Sequence, residues 1–175
     1  MLTPLFPPDT SDSAVYSKLL AKRLNELPLS LLAYGKLPES IPNVLVTSID
    51  KSGPKIFTVV RCVMALHKTK PSTLFLNNGP STDLPALLYK LVHPALRLIY
   101  IESDRKAAIR TGSVFVHFVN VQLKKRSVYN VVLPKESRIF LPTDILPFES
   151  VNPDTEAMKN EWWNEHTKLL KSYVR

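Results

Sequence analysis

Between Asn43 and Val121 the apolar residues fall into blocks of two alternating kinds. The first kind is short, continuous and rich in Val, Ile, Leu, Phe and Tyr: Val44 to Ile49, Thr73 to Asn77, Leu96 to Ile101 and Val114 to Val121. Such runs suit strands covered on both faces better than strands with one wet face. The second kind mixes apolar and polar positions at helical spacing: Lys55 to Lys68, Leu84 to Val92 and the short Asp104 to Thr111. The run 55–68 is rich in β-branched residues (Ile56, Val59, Val60, Val63) and would pass for a strand on propensity alone. Pro54 at its first turn and Lys68 and Lys70 at its far end favour a helix. The alternation predicts an α/β fold, a three-layer α/β/α sandwich, over residues 13–122.

The flanks read differently. Residues 1–12, rich in Pro, Ser, Thr and Asp, are expected to be a flexible tail. A first helix is predicted from Ser13 to Glu26, with Tyr16, Leu19, Leu20, Leu24 and Leu27 on one face; Pro28 stops it, and Pro38 and Pro42 mark an irregular connection. Residues 123–150 predict a basic turn at Lys124-Lys125-Arg126, then an edge hairpin pairing Val128–Leu133 with Arg138–Leu141. Asn152-Pro153-Asp154 combines a cap, a first-turn proline and an acid, so a C-terminal helix is expected over 151–175. At 175 residues this makes one domain with extensions.

Charge narrows the partner. Lys+Arg 23 against Asp+Glu 15 gives +8, which favours a polyanion or an anionic surface. The lone Cys62, set in a helical apolar pattern, has no partner for a disulfide or a zinc site and reads as a small buried hydrophobe. The first residues lack a secretion signal, and no apolar run approaches the roughly 20 residues of a membrane helix. A soluble protein of the nucleus, including the nucleolus, without direct membrane insertion, is the expectation.

Catalytic chemistry is sparse at the predicted strand ends, which carry Asp50, Asn77, Asn78, Glu102, Asp104 and Asn120. Four glycines supply neither a dinucleotide fingerprint nor a phosphate loop, although Ser52-Gly53-Pro54-Lys55 places amides and a lysine at a helix start. The histidines at 67, 93, 117 and 166 show no metal spacing, and no cofactor is expected. Glu102 and Asp104, beside Arg105 and Lys106, read as helix-capping carboxylates before they read as an acid/base pair. The cations are more suggestive. Lys51, Lys55, Arg105, Lys106, Lys124, Lys125 and Arg126 are candidate RNA phosphate contacts, and Trp162 and Trp163 are candidate partner contacts on the last helix.

Three stretches carry a resemblance to a known family: Val44-Leu45-Val46-Thr47-Ser48-Ile49-Asp50, Thr73-Leu74-Phe75-Leu76-Asn77-Asn78 followed by Asp83 to Leu88, and Leu96 to Ile101. Together they resemble the kink-turn RNA-binding ribosomal protein superfamily, nearest to the fungal protein subunit of RNase P and RNase MRP. That resemblance implies a non-catalytic subunit of a nuclear ribonucleoprotein for tRNA and rRNA processing. Its partners would be structured RNA and other protein subunits, with an RNA edge at 48–55 and 120–126. A second likeness rests on Asn78-Gly79-Pro80-Ser81-Thr82 and on Tyr100-Ile101-Glu102-Ser103 with Arg105. These are similar to the membrane-anchoring subunit of the UDP-N-acetylglucosamine transferase of dolichol-linked glycan synthesis. It implies that Asn78, Gly79, Glu102 and Arg105 lie near a nucleotide-sugar or a catalytic partner. A protein-interaction module is the third class.

Overall fold

The computed structural model describes residues 1–9, 11–35, 38–102, 113–132 and 153–174. Among them the elements run β1 (Leu2–Thr3), α1 (Asp12–Arg23), β2 (Leu29–Tyr34), β3 (Val44–Ile49), α2 (Lys55–Thr69) and β4 (Thr73–Asn77). There follow α3 (Pro80–Val92), β5 (Arg97–Glu102), α4 (Val114–Arg126), β6 (Tyr129–Val132) and α5 (Pro153–Ser172). The six strands form one sheet in the order β3-β2-β1-β4-β5-β6, and every neighbouring pair is parallel. The chain moves outward from β1 to β3, then returns through α2 to the other side of β1. The direction of winding therefore reverses between β1 and β4, the position where open α/β sheets form their crevice.

Parallel strands buried on both faces explain the continuous apolar runs. In β5, Ile99 and Ile101 enter one core while Leu98 and Tyr100 enter the other; in β2, Leu31 and Ala33 part from Leu32 and Tyr34 in the same way. The first core is closed by α1 and α5, through Tyr16, Leu20, Leu24, Trp163 and Leu170. The second is closed by α2, α3 and α4, through Cys62, Leu66, Ala86, Leu87, Val119 and Leu123. An α/β/α sandwich results, as the alternation predicted.

Several expectations require correction. Residues 1–12 are not a tail: Leu2–Thr3 is a central strand, pairing Leu2 with Leu32 on one side and Leu76 on the other, and Leu2 and Phe6 are buried. Leu29–Tyr34, expected as irregular connection, is β2, and its return to β3 runs past α1, where Glu39 accepts from Lys18 and its amide donates to the Pro7 carbonyl. Val114–Val121 is helical, not a strand. Its valines favour a strand, but Ser113 caps the first turn by accepting from the Val116 amide, and the buried residues Val119, Asn120 and Leu123 follow helical spacing. Lys124, Lys125 and Arg126 consequently form the last turn of α4 rather than a loop. Tyr129–Val132 is a strand, as expected, and pairs in parallel with β5. Its expected partner, 138–141, and the expected helix 104–111 lie outside the described residues.

The C-terminal helix belongs to the core. Trp163 is 3% exposed and stacks on Tyr16 with ring centroids 5.5 Å apart, while Arg23 covers its ring at 4.7 Å. One turn on, buried His166 shares a 2.8 Å hydrogen bond with the Tyr16 hydroxyl, and Trp162 stacks on its imidazole at 4.5 Å. Burial holds the His166 imidazole down, to about 4 from 6.5. A histidine whose folded value is depressed contributes stability above its unfolded value and loses it as pH falls toward the folded one. Stability to urea is therefore expected to decline between pH 6.5 and pH 4, and His166→Gln, which keeps an acceptor for Tyr16, should flatten that decline in a pH series of unfolding midpoints.

Candidate functional site

The loops that follow β1 and β4 meet at the reversal point. Asn77 ends β4 fully buried, and its amide donates to Ser17 Oγ at 2.8 Å, Ser13 Oγ at 3.0 Å and the Ser13 carbonyl at 3.3 Å. Thr3 Oγ1 bonds Ser17 Oγ at 2.8 Å and donates to the Leu5 carbonyl at 2.7 Å. Four polar side chains from β1, α1 and β4 thus satisfy one another where an unpaired one would cost about 1–3 kcal/mol. The next residues turn sharply into α3. A Cβ on Gly79 would lie 2.8 Å from both Cβ and Cγ of Pro4, so the glycine is required by the close approach of the two loops, not by its extended backbone.

The two short motifs of the second resemblance are neighbours here. The Asn78 amide donates to the Ile101 carbonyl at 2.9 Å, joining Asn78–Thr82 to Tyr100–Glu102 across adjacent strands. Within the turn, Thr82 Oγ1 donates to the Asn77 and Gly79 carbonyls, and Asp83 reaches back one turn to accept from the Gly79 amide at 3.1 Å. This is the reciprocal half of a capping box, supplied one residue late. The Tyr34 hydroxyl donates to the Ser81 carbonyl at 2.7 Å, and Lys51 lies over the Tyr34 ring at 5.1 Å.

A charged cluster stands beside the turn. Asp83 is 3% exposed and bonded to Tyr100; Glu102 pairs with Lys124 at 2.8 Å, and the Lys124 ammonium lies 6.0 Å from the Tyr100 ring centre. Burial pushes the Asp83 carboxyl up to about 7, helped by the Glu102 charge and opposed by the Gly79 amide and Lys124. Burial, with the Asp83 and Glu102 charges, also raises the Tyr100 phenol. The arrangement can hold a proton on buried Asp83 near neutrality, with the Lys124 cation nearby. Burial drives the Cys62 thiol up to about 11, leaving it protonated, and no cluster of three or more His, Cys, Asp or Glu that could hold a metal occurs among the described residues.

The proposed RNA cations are dispersed. Lys51 and Lys55 follow β3, one edge of the sheet, whereas Lys124, Lys125 and Arg126 end the helix before β6, the opposite edge. Five strand spacings separate those edges, roughly 24 Å. At the start of α2 the phosphate-loop reading is filled from within: Asp50 accepts from the Ser52 amide, and Arg61 donates to the Asp50 and Ser52 carbonyls. Asp104, Arg105 and Lys106 lie outside the described residues. Asn120 falls on a buried face of α4 and not at a strand end. Trp163, taken for a partner contact, is instead buried against Tyr16, because one helix face carries it inward; Trp162 is half-buried beside it. Asp83 and the Glu102–Lys124 pair were missed. The only sequence signal for Asp83 is an acid in the first turn behind Gly79-Pro80.

Replacing Gly79 with Ala should destabilise the fold by about 1–3 kcal/mol in chemical denaturation, since Pro4 is a ring that cannot swing aside. Asp83 titrates with the opposite sign to His166. Its raised folded value means stability present below 3.8 and lost as pH rises through about 7. Asp83→Asn, which keeps the acceptor for Gly79, should gain on the parent protein by on the order of 3 kcal/mol between pH 4 and pH 8 in urea unfolding. Searches against protein-family models, curated proteins and solved structures return no match to this chain.

Proposed function

We propose that the chain is a subunit of a UDP-N-acetylglucosamine transferase of dolichol-linked glycan synthesis, supplying the crevice at the β1–β4 reversal point rather than a nucleophile. The observation that carries this reading is the Asn78 to Ile101 hydrogen bond, which makes one surface of two motifs that stand apart in sequence. An all-parallel, doubly wound sheet supports it further, because such sheets place ligands beyond the carboxyl ends of strands flanking the reversal. In this reading the Asn78–Thr82 turn and Glu102 position a nucleotide-sugar or the catalytic partner. Lys124 holds the Glu102 carboxylate in place, and Asp83 fixes the turn through the Gly79 amide.

A ribonucleoprotein subunit of the RNase P or RNase MRP type, with a kink-turn-type core, is the second reading. What favours it is the net charge of +8 with Lys51, Lys55, Lys125 and Arg126 all exposed. A single RNA would then have to span the two edges of the sheet.

The deciding measurement is transfer of labelled N-acetylglucosamine from UDP-N-acetylglucosamine to dolichol-linked acceptor in membranes of cells depleted of this chain. Transfer is expected to fall and to return with the parent protein, while Glu102→Ala restores at most about a tenth, the loss of roughly 1.4 kcal/mol or more. Unchanged transfer on depletion, with RNA binding that weakens steeply as salt rises, would transfer the assignment to the ribonucleoprotein reading.

A further inference from the structure

The outward side of the α2–α3–α4 layer is apolar. On α2, Ile56, Phe57, Val60 and Met64 are 64%, 55%, 46% and 55% exposed; α3 adds Leu88, Leu91 and Val92, and α4 adds Val114, Phe115 and Phe118. These residues are not frayed core. Each helix buries a separate stripe against the sheet, Thr58, Cys62 and Leu66 on α2 and Val119, Asn120 and Leu123 on α4. α3 packs between α2 and α4, so the three outer stripes form one surface. The α2–α3 seam is a groove of about 690 Å³ lined by Val59, Val60, Val63, Met64, Leu88 and Leu91. It runs into a second, cationic hollow of about 820 Å³ beside His67, Lys70, His93 and Arg97.

Charge selects the occupant. Between Asp50 and Asp83 the chain has no acidic residue, α4 has none, and Asp83 is buried under the layer. Lys55, Arg61, Lys68, Lys125 and Arg126 are exposed on the same two helices. The opposite side of the sandwich mixes both signs, with Lys22 on α1 and Glu161, Glu165 and Lys168 on α5 exposed. The apolar face of the α2–α3–α4 layer is thus bordered mainly by exposed cations, of which Arg61 pairs with Asp50. An RNA would leave the aliphatic stripes unused, since backbone contacts call for polar and cationic groups. A bilayer interface uses both at once: side chains such as Phe57, Phe115 and Phe118 enter the acyl boundary while lysines and arginines reach anionic headgroups.

We propose that the α2–α3–α4 face is a peripheral membrane surface that adsorbs to anionic bilayers without a spanning helix. The three helices lie side by side along the sheet with their apolar stripes facing outward, which suits adsorption in the plane of the interface; among the described residues no helix is long and apolar enough to cross a membrane. This departs from the expectation of no direct membrane insertion in one respect only, the shallow entry of side chains. It does not depend on the transferase reading, because binding is measured with lipid alone.

The test is flotation of the full chain with vesicles of phosphatidylcholine and of phosphatidylcholine mixed with phosphatidylserine. Binding to the anionic vesicles alone, reduced by salt, is expected. Val60→Ser with Met64→Ser, Phe115→Ser and Phe118→Ser should lower the partition at least about tenfold, since shallow burial of such side chains carries the apolar term. Neutralising Lys55, Lys68 and Lys125 to Gln should lower it by about fivefold per cation. All these positions point away from the core, so unchanged thermal unfolding is the control for folding. No flotation with anionic vesicles at low salt, or equal flotation of the serine variant, overturns the proposal. So does a dimer in sedimentation that the serine variant dissolves without any vesicle binding, since a second copy would then cover the face.

Discussion

Two residues hold the sheet together. Leu2 and Thr3 are the strand between β2 and β4, so among the described residues the sheet ladder of the outward-wound half, β2 and β3, joins that of β4 to β6 through them. A strand this short contributes few ladder bonds, and the Asn77 amide compensates by tying Thr3, Ser13 and Ser17 into one buried network. Buried polar groups tolerate few arrangements, because each unsatisfied atom is costly and a fully satisfied network is stiff. The network therefore sets where the β1 and β4 loops emerge, and with them the approach of Pro4 to Gly79 that leaves no room for a Cβ. Every feature of the candidate site inherits that placement.

The electrostatics of the site are a consequence of its depth. An aspartate at the surface would cap α3 and remain ionised; buried beneath α4, Asp83 titrates near neutrality. Glu102 stays paired because Lys124 arrives from a different element, and the pair keeps a like charge close to Asp83. Two carboxyls, one cation and a phenol are thereby gathered beside the Asn78–Thr82 turn.

The two helical layers have different tasks. On the α1–α5 side, Tyr16, Trp163 and His166 are stacked and hydrogen-bonded inward, and the outer surface carries charges of both signs. On the other side the helices bury only narrow stripes and leave phenylalanines and aliphatics outside. An apolar surface of this extent is more than a monomer in water ordinarily shows, and its cationic setting gives it a direction.

Local pattern alone determined the alternating core. β3 and β4 match their predicted limits, and α2 and β5 lie within one residue of theirs, because apolar strand runs, first-turn prolines and basic helix ends act over a few neighbours. The Asn78–Thr82 and Tyr100–Glu102 motifs were legible as residue strings, as was the absence of a phosphate loop. Tertiary structure decided the rest. Leu2–Thr3 is too short to show a period, and only pairing on both sides makes it a strand. The valines of α4 favour a strand until Val119 and Leu123 find a core that rewards helical spacing. That Lys124 belongs to Glu102, Trp163 to Tyr16 and Asn78 to Ile101 could not be read from the chain. Those contacts join residues far apart in sequence, and their energies exist only once the sheet order has brought them together.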